Sequence, residues 1–426
     1  MLSKTLKYRW WIFWILALGY ILVYFHRQCT AVLALDMMRD LKTDGTIIGL
    51  FGALYFYPYA FMQIPAGLLS DSWGARKTIS FFFAVAVLGS FLIGLSQNVP
   101  MALAGRLLVG IGVAMLFVPT MKILSGWFRK TEFATMMGIL MAMGGIGSLS
   151  ATAPLAWLSR NVGWRNSFFI IGAFTLLLAL GVWVIVRNHP RDKNWPPLPE
   201  NSGETLSKTM PLLKGLKIIL CNRGFIFLAI WFFFTLAIFF SFGGLWGGPF
   251  LTHTYGLTQS QAGNILSMLS FGMIAGGPLV SFLSNRVLKS RKKILLASSF
   301  LNVALLSSFT FQTGTLSMSA LYLHCLGLGI FSSSVVVIGF TATKELFPLS
   351  IAGTASGLMN LFPFASGALF QQILGLILEK SGKIEGKYVL SGYQKSFAVL
   401  LVCAILALFA SFFIRETFLK SVDQKN

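Results

Sequence analysis

Long apolar stretches alternate with short polar segments along almost the whole chain. A helix needs about 20 apolar residues to cross the hydrocarbon layer of a bilayer. Twelve runs approach that length, and they begin near Trp10, Thr46, Thr78, Met101, Ala134, Asn166, Gly224, Ala262, Ile294, Leu316, Gly353 and Ser396. The pattern therefore predicts an all-α membrane protein with twelve transmembrane helices.

The basic residues lie unevenly in the connections between these runs. With the N-terminus inside, cytoplasmic segments hold 23 of the 34 Lys and Arg residues, and the opposite side holds 8. Lys and Arg are retained on the cytoplasmic side during insertion. We therefore expect both termini in the cytoplasm and the protein in a bacterial-type inner membrane.

One polar, proline-rich segment divides the chain into two sets of six runs. It predicts an N-terminal six-helix bundle over residues 1–187, a cytoplasmic linker over 188–223 and a C-terminal six-helix bundle over 224–426. Within the linker, Leu and Ile alternate with Lys at helical spacing over residues 210–220. That spacing is typical of an amphipathic helix on the membrane surface.

Composition and charge exclude several classes of protein. With 56% hydrophobic and 11% charged residues, the chain has more apolar surface than a soluble core could bury. The formal net charge of +21 would suggest nucleic-acid binding, but its position between the spans makes it a topogenic signal. The four cysteines are scattered singly, which indicates neither a disulfide framework nor a metal site. We expect a monomer without a cofactor, whose partners are a small-molecule substrate and the lipid bilayer.

Two short motifs carry a family resemblance. After the second run, residues 67–77 read GLLSDSWGARK, and residues 281–286 after the eighth run echo them as SFLSNR. Arg106, Gly110 and Gly112 follow the spacing R-x-x-x-G-x-G in the fourth run. These features resemble the loop and fourth-helix motifs of the major facilitator superfamily. The resemblance implies two six-helix bundles around a central cavity that opens alternately to either side.

The same resemblance suggests a set of residues that control this change. We call them the cytoplasmic latch residues: Gly67, Asp71, Gly74, Arg76, Lys77 and Arg106. Contacts that break and reform at a bundle interface are one way to switch between two states. The alternative is that residues 67–77 are only a topogenic turn. For Arg106 the main expectation is a structural bond to backbone carbonyls of a neighbouring helix.

Arg27 is the charged residue that most needs an explanation, because it lies inside the first apolar run. A charge in hydrocarbon costs roughly 2.5–3.5 kcal/mol even on a lenient scale. Tyr20, Tyr24 and Arg27 share one helix face. Residues 24–32, YFHRQCTAV, resemble the first-helix motif of the anion:cation symporter and organophosphate permease branches, where the Arg holds the anionic group of the substrate. The alternative is that Arg27 snorkels or bonds to helix-end carbonyls.

Further polar and aromatic residues are candidates for the same substrate site. The full set of substrate-binding candidates is Arg27, Tyr24, Tyr20, Tyr55, Tyr59, Gln63, Trp246 and Asn360. The chain also departs from those branches, since His26 and Val113 occupy places that are usually acidic in the symporters. The seventh run lacks the second Arg of the permeases, which favours a monoanion or zwitterion over a phosphate.

Proton coupling has few candidates inside the apolar runs. All thirteen acidic residues fall in loops or at the ends of runs, so His26 and His324 are the proton-coupling candidates. For each, the alternative is a neutral imidazole bonded to a helix neighbour.

The sequence thus predicts a secondary active transporter that imports a small organic anion or zwitterion, such as a carboxylate, sugar acid or amino acid, with a proton. An uncoupled facilitator or exchanger, a drug-type exporter and a non-transporting solute sensor are the alternatives. An enzyme is not expected, since no HExxH, Walker lysine loop or nucleophile elbow occurs.

Overall fold

A computed structural model of the protein describes residues 2–196 and 212–418, with the side chains of a few residues inside these ranges left out. The described chain is helical apart from one short antiparallel hairpin, in which β1 (Lys383–Ile384) pairs with β2 (Lys387–Tyr388). Of the helix expected over residues 210–220, the described part is α10 (Leu212–Leu220). The rest of that prediction lies outside the described residues.

Among the described residues, nine α-helices precede α10. They are α1 (Leu2–Gln28), α2 (Thr30–Asp40), α3 (Gly45–Phe61), α4 (Gln63–Leu69), α5 (Ala75–Gly94), α6 (Val99–Ala114), α7 (Phe117–Trp127), α8 (Lys130–Ser150) and α9 (Ala153–Ile185). Eight follow it: α11 (Arg223–Ser241), α12 (Gly247–Tyr255), α13 (Gln259–Phe282), α14 (Arg291–Phe311), α15 (Met318–Leu328), α16 (Val336–Glu345), α17 (Leu349–Ser381) and α18 (Leu390–Phe413).

Some consecutive helices follow each other almost without a break, and each such pair forms one longer apolar segment. Ten segments of the described chain are long and apolar enough to cross a membrane. Two shorter apolar helices, Gly45–Phe61 and Thr135–Ser150, coincide with the second and fifth predicted runs. Many large apolar side chains on these helices are exposed, including Leu88, Leu177 and Phe409. Such surfaces suit contact with lipid and not with water.

The chain divides into two compact units. Unit 1 comprises residues 1–29, 39–41 and 54–205, and within it α1 packs on α8 and α9, while α5 packs on α6 and α9. Unit 2 comprises residues 30–38, 42–53 and 206–426, and within it α11 packs on α17 and α18, and α14 on α18. Most of α2 and the first half of α3 therefore belong with the later helices of the chain.

In the part of the chain that the structure describes, four π-helical turns interrupt the α-helices, over Ser70–Gly74, Phe242–Trp246, Leu283–Val287 and Gly329–Ser334. The turn at 242–246 lies in a glycine-rich segment, and α11 continues into α12 through it. Turns of this kind often occur at functional positions in helices.

Candidate functional site

Arg27 lies in the last turn of α1 and is buried in unit 1, with only 4% of its surface exposed. Its guanidinium carbon lies 4.3 Å from the ring centroid of Tyr24, 5.2 Å from that of Tyr59 and 6.0 Å from that of Tyr55. A cation over aromatic faces at these distances is attracted by the ring quadrupoles. The first helix and α3 thus place one buried cation among phenols.

Tyr20 extends this group along α1. Its ring lies 5.2 Å from Tyr24 and 5.6 Å from Phe117, and its hydroxyl donates to the sulfur of Met141 at 3.5 Å. We call Arg27, Tyr20, Tyr24, Tyr55 and Tyr59 the arginine–tyrosine cluster. Tyr24 is its partly exposed member. The sequence predicted all five residues, and the fold brings them together within unit 1.

Gly144 of α8 makes room for the cluster. A Cβ at this position would lie 2.8 Å from the ring of Tyr24 and 3.0 Å from that of Tyr20. Sequence reasoning did not assign Gly144 to the site, although the small-residue spacing of the fifth run was a signal for it. Met141 and Phe117 were also missed, because an apolar residue on an apolar helix carries no site signal in a single sequence.

Arg106 of α6 is fully buried and lies next to the cluster. It donates from a terminal nitrogen to the backbone carbonyl of His26 at 2.8 Å, the type of partner that the sequence predicted. Its guanidinium carbon lies 4.9 Å from the ring of Tyr55, whose hydroxyl donates to the carbonyl of Val23 at 2.8 Å. Arg106 therefore ties α6 to the end of α1 beside Arg27.

The two histidine candidates occupy different surroundings. His26 is fully buried in unit 1, and neither ring nitrogen has a hydrogen-bond partner among the described residues. In unit 2 the Nδ1 atom of His324 lies 2.7 Å from the carbonyl of Ala320, one turn earlier in its own helix. Its ring also packs against Phe309 at 5.1 Å.

Two of the remaining candidates donate to backbone carbonyls, and the third is partly buried. The side-chain amide of Gln63 donates to the carbonyl of Tyr59 at 3.0 Å. In unit 2, the indole N–H of Trp246 donates to the carbonyl of Gln371 at 2.9 Å, and Asn360 is partly buried. Their part in substrate binding stays a prediction.

The loop motif of residues 67–77 forms a π turn and a sharp corner before α5. Gly74 has a φ of 96°, a left-handed conformation that glycine adopts without strain. Arg76 donates through its side chain to the carbonyl of Trp183 and stacks on that indole at 4.6 Å. Lys77 is exposed, and a Cβ on Gly67 would meet nothing within 4 Å. The side chain of Asp71 is outside the described part of the structure.

Lys122, also inside an apolar run, donates to the carbonyl of Ser70 in the same π turn at 2.8 Å. Lys122 therefore links α7 to that turn.

Comparison with known proteins places the chain among transporters. The sequence model described as Major Facilitator Superfamily matches residues 16–371. A probable galactarate/D-glucarate transporter of Bacillus subtilis is 23% identical, over 93% of this chain and 92% of that protein. A probable hexose phosphate transport protein of Chlamydia muridarum is also 23% identical, over 94% of this chain and 90% of that protein.

A solved structure shows the same fold. The crystal structure of a bacterial homologue of the human lysosomal transporter Spinster, in an inward-facing and unoccupied conformation, superposes with a TM-score of 0.77. The two sequences are 20% identical, and the match covers 97% of this chain and 98% of that one. At this identity the likeness concerns the fold alone.

Proposed function

Since the chain belongs to the Major Facilitator Superfamily, and so is a multi-pass membrane transporter and not an enzyme, we propose that its substrate is a sugar acid with one carboxylate. We further propose that it imports this anion with a proton across the inner membrane of a bacterial cell by alternating access. The arginine–tyrosine cluster is the observation that carries the proposal.

A buried guanidinium suits recognition of a carboxylate. Its planar N–H groups match the two oxygens of a carboxylate, and such charge-assisted pairs are strong where water is excluded. Phenols around it offer hydroxyl groups to the several hydroxyls of a sugar, and aromatic faces to its apolar C–H surface. A cation among four tyrosines therefore fits a polyhydroxy anion better than a neutral sugar or an apolar drug.

The proposed charge of the substrate follows from the number of cations in the cluster. The two relatives above are named for galactarate or glucarate, which carry two carboxylates, and for hexose phosphates. Here Arg27 is the cation at the phenols' centre, while Arg106 is engaged by the carbonyl of His26. One guanidinium pairs with one carboxylate, and a hexuronate carries one carboxylate.

Transport in proteoliposomes tests this proposal. We expect purified protein to accumulate labelled glucuronate when the outside is acidic and to stop when an uncoupler collapses the gradient. Glucose, which has the same ring without the carboxylate, serves as the control and is not expected to be taken up. Uptake of glucuronate that only equilibrates, with or without the gradient, would leave an uncoupled facilitator as the function.

A further inference from the structure

A closely packed contact within unit 2 joins the first half of α3 to the last third of α17. Gly45, Gly49 and Gly52 lie on one face of α3 at helical spacing, and Gln371 and Gly375 lie opposite them. A Cβ on Gly49 would lie 2.8 Å from the carbonyl oxygen of Gln371. We call this contact the glycine seam. The missing side chains of the glycines let the two backbones approach this closely.

Other groups of unit 2 fix the seam. A Cβ on Gly375 would meet the carbonyl of Gly45, and one on Gly52 would meet the side-chain oxygen of Gln371. The side-chain amide of Gln371 donates to the carbonyl of Phe240 at 2.8 Å, and the backbone carbonyl of Gln371 accepts from the indole N–H of Trp246. The seam is therefore specific packing and not a chance approach.

A carboxylate closes the end of the seam. Glu379, one helical turn after Gly375, accepts a hydrogen bond from the backbone N–H of Gly45 at 3.0 Å and one from the Tyr388 hydroxyl at 2.8 Å. Lys383 lies 3.1 Å from the same carboxylate. Gly45 is the first residue of α3, so the negative charge also faces the positive end of a helix.

Other titratable groups face this carboxylate from each neighbouring element. Asp44 lies before α3 and accepts from the N–H of Ile47, while Lys383 and Lys387 belong to the hairpin. On α12, His253 accepts at Nδ1 from the backbone N–H of Tyr388 at 3.3 Å, and the same atom lies 2.9 Å from the Tyr393 hydroxyl. Burial, and then the adjacent Glu379 carboxylate, raise the pKa of the Tyr388 phenol above its ordinary value.

We propose that Glu379 is the residue through which a proton from outside opens the glycine seam. The ionised carboxylate holds the Gly45 N–H, the Tyr388 hydroxyl and Lys383 together. When it takes up one proton, the neutral acid loses its attraction to Lys383 and to the helix end, and the hydrogen bonds that it accepts from the Gly45 N–H and the Tyr388 hydroxyl are no longer charge-assisted and weaken. On the orientation predicted by the basic residues, this end of α3 and α17 lies outside the cytoplasm.

This inference rests on the proposed function for its link to import, but its structural part does not. Opening of the seam by acid is a property of the protein without substrate. Measuring it separately therefore distinguishes a failure of the seam proposal from a failure of the sugar-acid proposal.

The test is a distance measurement between two spin labels across the seam, in a Cys221→Ser background that removes the exposed native thiol. Labels at Lys42→Cys and Ile384→Cys, both exposed, report on the two sides. We expect a longer distance at about pH 3 than at about pH 7, a range that spans the ordinary carboxylate pKa of about 4.3. Glu379→Gln should give the longer distance at both pH values.

Three further variants keep the result interpretable. Gly49→Val should force the seam apart at every pH and supply the reference distance for the open form, while Gly138→Val, at an exposed position with nothing within 4 Å, should behave as wild type. Glu385→Gln, in the exposed hairpin turn, should keep the pH response. Thermal melting in detergent verifies that each variant is folded.

Transport completes the test. Glu379→Gln should retain exchange of glucuronate across the membrane but lose accumulation driven by the pH gradient. A wild-type distance that ignores pH, or a Glu379→Gln variant that keeps the wild-type shift, would overturn the proposal. Loss of the shift in His26→Gln with its retention in Glu379→Gln would also overturn it and would assign the proton to His26.

Discussion

At the scale of single residues, the two buried arginines of unit 1 have different roles because their neighbouring groups differ. Both are almost inaccessible, and both contact the ring of Tyr55, at 6.0 Å for Arg27 and 4.9 Å for Arg106. Arg106 bonds to the backbone of α1, which makes it a tie between helices. Arg27 is stacked among phenols, where the partly exposed Tyr24 lies closest to it.

This difference predicts the effect of replacing Arg27. Truncating one partner of a buried, hydrogen-bonded charge pair costs about 2–5 kcal/mol, so Arg27→Gln should lower kcat/KM for glucuronate by at least about 30-fold. Arg160→Gln, at an exposed position of α9, is the matched loss of a positive charge and should transport normally. The comparison is initial uptake rates in proteoliposomes at equal protein density. Equal rates for both variants would show that Arg27 does not bind the substrate.

At the scale of secondary-structure elements, the start of α1 is fastened to the start of α8 by an ion pair. Two nitrogens of Arg9 donate to the two oxygens of Glu132, at 2.7 and 3.0 Å, and the N–H of Arg129 also donates to this carboxylate at 3.0 Å. Burial acts to raise the pKa of Glu132, but these hydrogen bonds outweigh it and hold the pKa below its ordinary value. The stabilisation is therefore present above the unfolded-state pKa and is lost as the pH falls through the folded-state pKa.

The expected consequence is a loss of thermal stability in acid. Between about pH 5 and about pH 3 the melting temperature in detergent should fall, with a contribution from this partly exposed pair of about 1 kcal/mol. Glu132→Gln should lower stability at neutral pH and make the acid loss smaller. It should not abolish that loss, because Asp40 and Glu416 also have lowered pKa values. A pH profile of Glu132→Gln identical to that of wild type would contradict this account.

The all-helical architecture followed from sequence, because apolar length and breakers are local properties. The partners of each helix did not follow. The apolar pattern of residues 45–53 does not predict that they pack on α17. The only trace of this contact in the sequence is three glycines on one helix face. Likewise, Arg27, Tyr20 and Tyr24 could be placed on one face of α1, whereas the contacts of Gly144 and Met141 depend on a helix over a hundred residues away.

At the scale of the whole molecule, the sequence pointed to the family that the comparison shows, but it looked for proton carriers only inside the apolar runs. Glu379 lies at the end of one such run, and its significance comes from three partners that folding brings to it: Gly45, Lys383 and Tyr388. A carboxylate at a span end is ordinary in sequence. It becomes notable only when a helix N-terminus from a distant part of the chain meets it.

The most direct test of the central claim is competition for glucuronate uptake by ligands that differ in charge. Glucuronate itself, glucarate, glucose 6-phosphate and glucose present a similar carbon skeleton with one carboxylate, two carboxylates, a phosphate or no charge. With one guanidinium among four tyrosines, the protein should be inhibited most strongly by unlabelled glucuronate, more weakly by the two dianions and not by glucose. Inhibition by glucose as strong as that by glucuronate, or uptake that no anion in the series inhibits, would contradict an anion site at Arg27.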